Sequence, residues 1–355
     1  MRTLLLIAIA GLFINSCTQS PQTHQNQLGQ KAEFDSTDAT NDFYDNAPTY
    51  KLKSNNEIKI AGEVAKTANR ELDKFPKRSV IVKETLLKRK TDSFVGAYKY
   101  EGYSLYDILN GTKLDKANKE QFSPIIDLYV VISNPKGEKA VLSWGEIYYP
   151  NNRHKNIIAT KVTPIIPSKT KEQWPLPEQS KLVVGNDLLD ERNISNPTRI
   201  EIHSLKGNYP EKEQDKLYAS SIAIRNAEGK QLRELKKIPE EMHEIEYPSV
   251  FYGRGRGIHG ITSFKGYLLK DLLKSEFPVT ANRLQEGLFS VAAPDGYRAA
   301  FSYSEILNRN DQSEVLLLDL GENTEDGKFR TFPAGDFFSD RAIKAVSEIH
   351  YRKVE

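Results

Sequence analysis

The chain has 355 residues, with 50 Lys and Arg against 48 Asp and Glu, for a formal charge of +2. The basic residues are scattered among the acids, so no stripe fits a phosphate backbone and nucleic acid is excluded as a partner. The single cysteine, Cys17, excludes an internal disulfide and any thiolate set for zinc or an iron–sulfur cluster.

Arg2 precedes an apolar run from Leu4 to Ile14. The run is too short to span a bilayer as a helix and has the length of a signal-peptide core. It ends at Ile14-Asn15-Ser16-Cys17, where a small residue directly before a cysteine resembles the lipobox of bacterial lipoproteins. Residues 1–16 are therefore expected to be a lipoprotein signal peptide, with Cys17 carrying the lipid. From Thr18 to about Tyr50 the chain is rich in Gln, Asn, Asp, Thr and Ser. Such a composition cannot bury a core, so residues 17–51 are expected to be a flexible tether, reaching on the order of 30 Å.

The remainder repeats itself. RELDKFP at 70–76 returns as RELKKIP at 233–239, and GAYKYEGYSLYDIL at 96–109 as GITSFKGYLLKDLL at 260–273. A third block, 127–147, matches the segment ending at Ile306, pairing Gly137 with Gly296, Ser143 with Ser302 and Glu146 with Glu305. A fourth pairs DLLDERNI at 187–194 with DFFSDRAI at 336–343, Arg192 against Arg341. Four blocks in one order predict two related domains, at 52–206 and 213–355, joined through Lys206-Gly207-Asn208-Tyr209-Pro210.

Each block predicts local structure. Leu105, Ile108 and Leu109 form one face of a short helix, repeated by Leu269, Leu272 and Leu273. Asp107 and Asp271 inside these helices read as solvated or capping groups. LYVVIS and KAVLSW flank Asn134-Pro135-Lys136-Gly137 as a hairpin, as LFSVAA and YRAAFS flank Pro294-Asp295-Gly296. Ser143-x-x-Glu146 and Ser302-x-x-Glu305 are capping boxes. TRIEIHSL and SEIHYRKV read as strands. FYGRGRGIHG at 251–260 contains G-x-G-x-x-G, but ITSFKGY follows with strand character. No helix N-terminus is available there for a pyrophosphate, which argues against a dinucleotide loop.

Taken together, G-Y-x-L-x-D-[IL]-L, D-G-Y-R-x-x-F-S-x-x-E-[IL] and D-R-x-I-K-x-x-x-x-I resemble the sulfite-oxidase-like molybdopterin-binding domain. The second copy carries them at Gly266–Leu273, Asp295–Ile306 and Asp340–Ile349; the first copy is weaker, with Lys136-Gly137-Glu138 in place of Asp295-Gly296-Tyr297. The resemblance implies an α+β, β-rich mixed fold, as two tandem sulfite-oxidase-like molybdopterin-binding-fold domains. It also implies a molybdenum-ligating cysteine ahead of Gly96 or Gly260, and neither copy has one. Intact molybdopterin chemistry is thus not expected, and neither a cofactor nor a bound metal is called for.

The stretch 251–260 falls at the position of the family's metal-cysteine loop. Arg254 and Arg256 are permanent donors suited to phosphate or carboxylate, and the intervening glycines admit a ligand to the backbone. With His259, and with Lys344 at a position the resemblance puts near the pterin phosphate, they are the candidate ligand-binding residues. Trp144 and Trp174 are candidates for an aromatic groove or for core filling. The reading is a lipid-anchored module of the bacterial cell envelope, facing periplasm or surface. It acts in binding or as an accessory, with a small anionic ligand or an envelope protein as partner. The alternatives are a molybdopterin-dependent or other redox oxidoreductase with a thiol-free site and a glycan- or protein-binding module of the cell surface.

Overall fold

A computed structural model describes residues 47–88, 91–167, 170–210, 217–322 and 327–354. Cys17, the signal segment and the tether through 46 lie outside the described residues, and the junction is described only as far as Pro210.

The first half runs β1 Tyr50–Lys51, β2 Glu57–Gly62, β3 Ala68–Glu71, β4 Lys77–Lys88 and β5 Thr91–Ser104, then α1 Leu105–Leu109. It continues with β6 Leu128–Ser133, β7 Lys139–Ser143, α2 Trp144–Tyr148, β8 Asn156–Pro164, β9 Lys181–Val184 and β10 Arg199–Ser204. The second half runs β11 Ile222–Arg225, β12 Gln231–Leu235, β13 Ile245–Gly253, β14 Gly257–Leu268, α3 Leu269–Leu273 and α4 Ala281–Glu286. After these come β15 Gly287–Ala292, β16 Arg298–Ser302, α5 Tyr303–Leu307, β17 Val315–Asp319, β18 Phe329–Pro333 and β19 Glu348–Lys353.

The same strand order occurs twice. One sheet of the first half is ordered β3-β2-β10-β6-β7, with β2 and β10 parallel; its counterpart is β12-β11-β19-β15-β16, with β11 and β19 parallel. The other sheets are built on β8-β5-β4, extended by β1 and β9, and on β13-β14-β17-β18. Among the described residues they make four small sheets in a ring like that of a four-bladed β-propeller, with 45% strand and 11% helix. This corrects the α+β, sulfite-oxidase-like expectation. The helices are there, but each is a single turn of five or six residues and they form no layer. The apolar spacing of α1 stops at once, because Asn110 leaves the helical region and Gly111 takes φ +80. Pro150 follows α2 as closely.

The hairpins and capping boxes are where the sequence places them. In both boxes the serine hydroxyl accepts from the glutamate amide while the carboxylate accepts from the serine amide. Asp107 accepts from Arg78 Nε at 2.9 Å and Asp271 from Lys274, both in local structural roles. Trp174 fills space over the first half, edge-on to Phe94, with its indole N–H donating to the Ile165 carbonyl at 2.6 Å.

The halves meet along β7 and β16 through a shared apolar layer that includes Val131, Val141 and Leu205 with Leu288, Ala300 and Val354. Two fully buried arginines cross this seam reciprocally. Arg192 donates to Asp187, Glu146, the Val141 carbonyl and, across the seam, Ser302 Oγ. Arg341 donates to Asp336, Glu305, the Ala300 carbonyl and, across the seam, Ser143 Oγ. The Ser143 hydroxyl in turn donates to Glu305 at 2.7 Å. Each capping serine thus holds its own helix turn and receives the other half's arginine. Gly145 is required here, because a Cβ would fall 2.5 Å from the Arg341 guanidinium.

Candidate functional site

FYGRGRGIHG forms the tight end of the β13–β14 hairpin, with Gly253 opposite Gly257. Two of its glycines have a steric reason. Gly257 sits at φ +76, a conformation L side chains rarely adopt, and a Cβ on Gly253 would collide with the His259 imidazole. At Gly255 and Gly260 a Cβ would meet nothing within 4 Å.

Beside this turn lies an open cavity of about 510 Å³. Its wall brings together Arg256 and His259 from the hairpin, Arg330 from β18, and Lys344, Asp340 and Asp295 from the loops around β19 and β16. Three of the four residues singled out from sequence therefore converge. The fourth, Arg254, points to the other side of the turn. It pairs with Asp340 at 2.6 Å and lines a neighbouring cavity, so its ion pair with Asp340 stands between the two spaces. The arginines alternate with glycines in sequence, but they do not share one cavity.

Sequence reasoning missed Arg330, Asp295, Asp340 and Phe251 at this site. Phe251 forms part of the wall, with the Arg330 guanidinium 5.0 Å from its ring centroid and the His259 ring at 5.5 Å. Tyr297 donates its hydroxyl to the Asp340 carbonyl at 2.8 Å. Burial, then the nearby Asp340 carboxylate, pushes that hydroxyl up to about 12, so it remains a donor at neutral pH.

The equivalent space in the first half has a volume of about 670 Å³. Strand registers pair Lys181 with Arg330 and Glu84 with Phe251, and the aligned fourth block, continued by one residue, pairs Glu191 with Asp340 and Ser195 with Lys344. Its wall carries Glu84, Glu138, Glu178, Asp190 and Glu191 against Lys136 and Lys181. Lys181 is neutralised by both oxygens of Glu84, at 2.7 and 2.8 Å. In the second half Phe251 stands where Glu84 does, so the corresponding Arg330 lies against a ring rather than over that acid. The two cavities share a plan and carry opposite charge. The signal for this was present directly after the fourth block, as Ser195 against Lys344, but the Glu84–Phe251 exchange lies away from all four blocks.

The cysteine that a molybdenum site would need has no counterpart at either hairpin. Among the described residues no group of three or more His, Cys, Asp or Glu is placed to hold a metal ion. No family model matches the chain, and no curated protein matches it either. No helix among the described residues is long and apolar enough to cross a membrane.

Proposed function

We propose that this protein is a ligand-binding module of the bacterial cell envelope that holds a small anion in the cavity beside the β13–β14 turn. The observation that carries the reading is the charge exchange between the two equivalent cavities. The second gathers Arg256, Arg330, Lys344 and His259 against Asp295 and Asp340, while the charged residues of the first are mainly carboxylates. Arginine and lysine donors facing one space suit a phosphate or carboxylate group. A bare phosphate fills only part of about 510 Å³, so the anionic group is expected on a larger body. Arg256, His259 and Lys344 are exposed, so binding is expected to weaken as salt screens the attraction.

Calorimetry with phosphate, sulfate and glucose 6-phosphate tests the site. Arg256→Ala/Lys344→Ala should weaken binding at least about tenfold, given charge-assisted hydrogen bonds of about 1.5–3 kcal/mol each. If the wild type takes up none of the three at millimolar concentration, or the double variant binds equally well, the assignment is wrong. The envelope location rests on the apolar run ending at Cys17. Cys17→Ala should release the protein from the membrane fraction or block its maturation; normal processing and retention would defeat that part.

A further inference from the structure

A second cavity, of about 280 Å³, opens at the seam between the halves on the far side of Arg254. Its walls are aromatic: Trp144 stacks on Tyr148 with centroids 4.1 Å apart and planes 9° apart, and Tyr149 meets Phe338 edge-on at 5.8 Å. Arg153, Arg254 and Arg341 enter it as cations; among the described residues no Asp or Glu lines it, although Arg254 pairs with Asp340 and Arg341 with Asp336 and Glu305 outside it. Arg153 lies over the Tyr106 ring at 4.5 Å and pairs with no carboxylate among the described residues.

Two buried donors in this wall have no acceptor among the described residues. Trp144 is 4% exposed and Tyr149 5%, and neither the indole N–H nor the phenol O–H meets a hydrogen-bond partner there. Arg153 Nε is likewise unpartnered. Buried donors are nearly always satisfied, and one that is not asks for a reason.

The duplicated half supplies an internal control. Trp144 and Tyr303 both follow a capping serine as the first helical residue, and Tyr149 and Asn308 both cap the helix end. In the second half these positions are satisfied: the Tyr303 hydroxyl donates to the Phe277 carbonyl at 2.8 Å, and Asn308 both donates to and accepts from Leu189. In the first half the same positions carry larger aromatic donors, both without an acceptor among the described residues, around a space that Arg153 enters with no carboxylate against it.

We propose that this seam cavity binds a planar aromatic carboxylate, its ring among Trp144, Tyr148 and Phe338 and its carboxylate accepting from Arg153 with Trp144 and Tyr149. Solvent reaches neither orphan atom, so taking up these donors requires the two rings to turn toward the ligand. A ligand of one or two fused rings matches the volume. The site is separate from the anion cavity and does not depend on it.

Benzoate, 1-naphthoate and uncharged 1-naphthalenemethanol are the probes, titrated by calorimetry into the whole chain. At least one acid should bind, and naphthalenemethanol should bind at least about tenfold more weakly than naphthoate for want of the charged hydrogen bond. Arg153→Met should cost the acids about tenfold or more. Tyr149→Phe keeps the ring, should leave the thermal midpoint unchanged or raised, and should weaken the acids several-fold. Arg256→Ala/Lys344→Ala should leave their binding unchanged, which separates a failure here from a failure of the anion cavity. The proposal is overturned if neither acid binds at millimolar concentration, if the uncharged analogue binds as well as its acid, or if Arg153→Met has no effect. Loss of acid binding in Arg256→Ala/Lys344→Ala would overturn it equally.

Discussion

Replacing Arg341 by Met tests what joins the two halves. Arg341 is 1% exposed and spends its guanidinium on Asp336, Glu305, Ser143 and the Ala300 carbonyl. Met keeps the aliphatic stem but is shorter and uncharged, which leaves two carboxylates buried without the guanidinium that pairs them. Breaking a buried pair in this way costs about 3–5 kcal/mol, a large share of the roughly 5–15 kcal/mol available to a folded protein. With a urea slope of about 3 kcal/mol/M, the midpoint should fall by about 1–2 M. Burial already raises Asp336 and Glu305 above the ordinary carboxylate range even with Arg341 present. Without it they rise further and become neutral by protonation, so the cost should be greater at pH 8 than at pH 5. Arg192→Met should behave alike, and the double variant should depart from additivity by about 0.5–3 kcal/mol, because the two networks share hydrogen bonds across the seam. Urea unfolding of the four proteins at both pH values is the assay. A loss under about 1 kcal/mol at pH 8, or one independent of pH, would refute the claim that these arginines lock the seam.

Two further outcomes are expected. Gly257→Ala should destabilise by about 1–2 kcal/mol, since it forces a side chain into the left-handed region, whereas Gly255→Ala, in open space, should stay within about 0.5 kcal/mol; paired thermal melts decide this. Asp190, buried beside Glu84 and Asp187, is pushed up to about 8 chiefly by burial. Between about pH 4 and 8 the folded state then holds a proton that the unfolded state has lost, so this group makes stability fall as pH rises through that window, by up to about 1.4 kcal/mol per pH unit. An infrared band of a protonated carboxyl should persist at pH 7, fade with a midpoint near 8, and be missing from Asp190→Asn; a band lost by pH 5 would contradict the burial argument.

Much of the local structure was legible from neighbouring residues alone. The i, i+3, i+4 leucines of α1 and α3, the Ser-x-x-Glu boxes and the Pro, Asn, Asp and Gly hairpin turns act over a few positions, so their outcome is written within a few positions. The repeated blocks likewise announced a repeated strand order. The resemblance to an α+β fold failed because the matched motifs describe single helix turns and hairpins, which several architectures share. Arg192 and Arg341 were aligned from sequence but not recognised as buried, since what takes each of them inside is a pair of carboxylates and a serine from the other half. The candidate site divides in the same way. Arg256, His259 and Lys344 could be picked out by residue type and position, while the opposite side taken by Arg254 was set by Asp340. Part of the difference between the cavities lies in what stands beside a cation: Glu84 at Lys181, Phe251 at Arg330. Those pairs are distant along the chain and adjacent only once the strands are in register, because electrostatics depends on separation in space, and only the tertiary fold sets that separation.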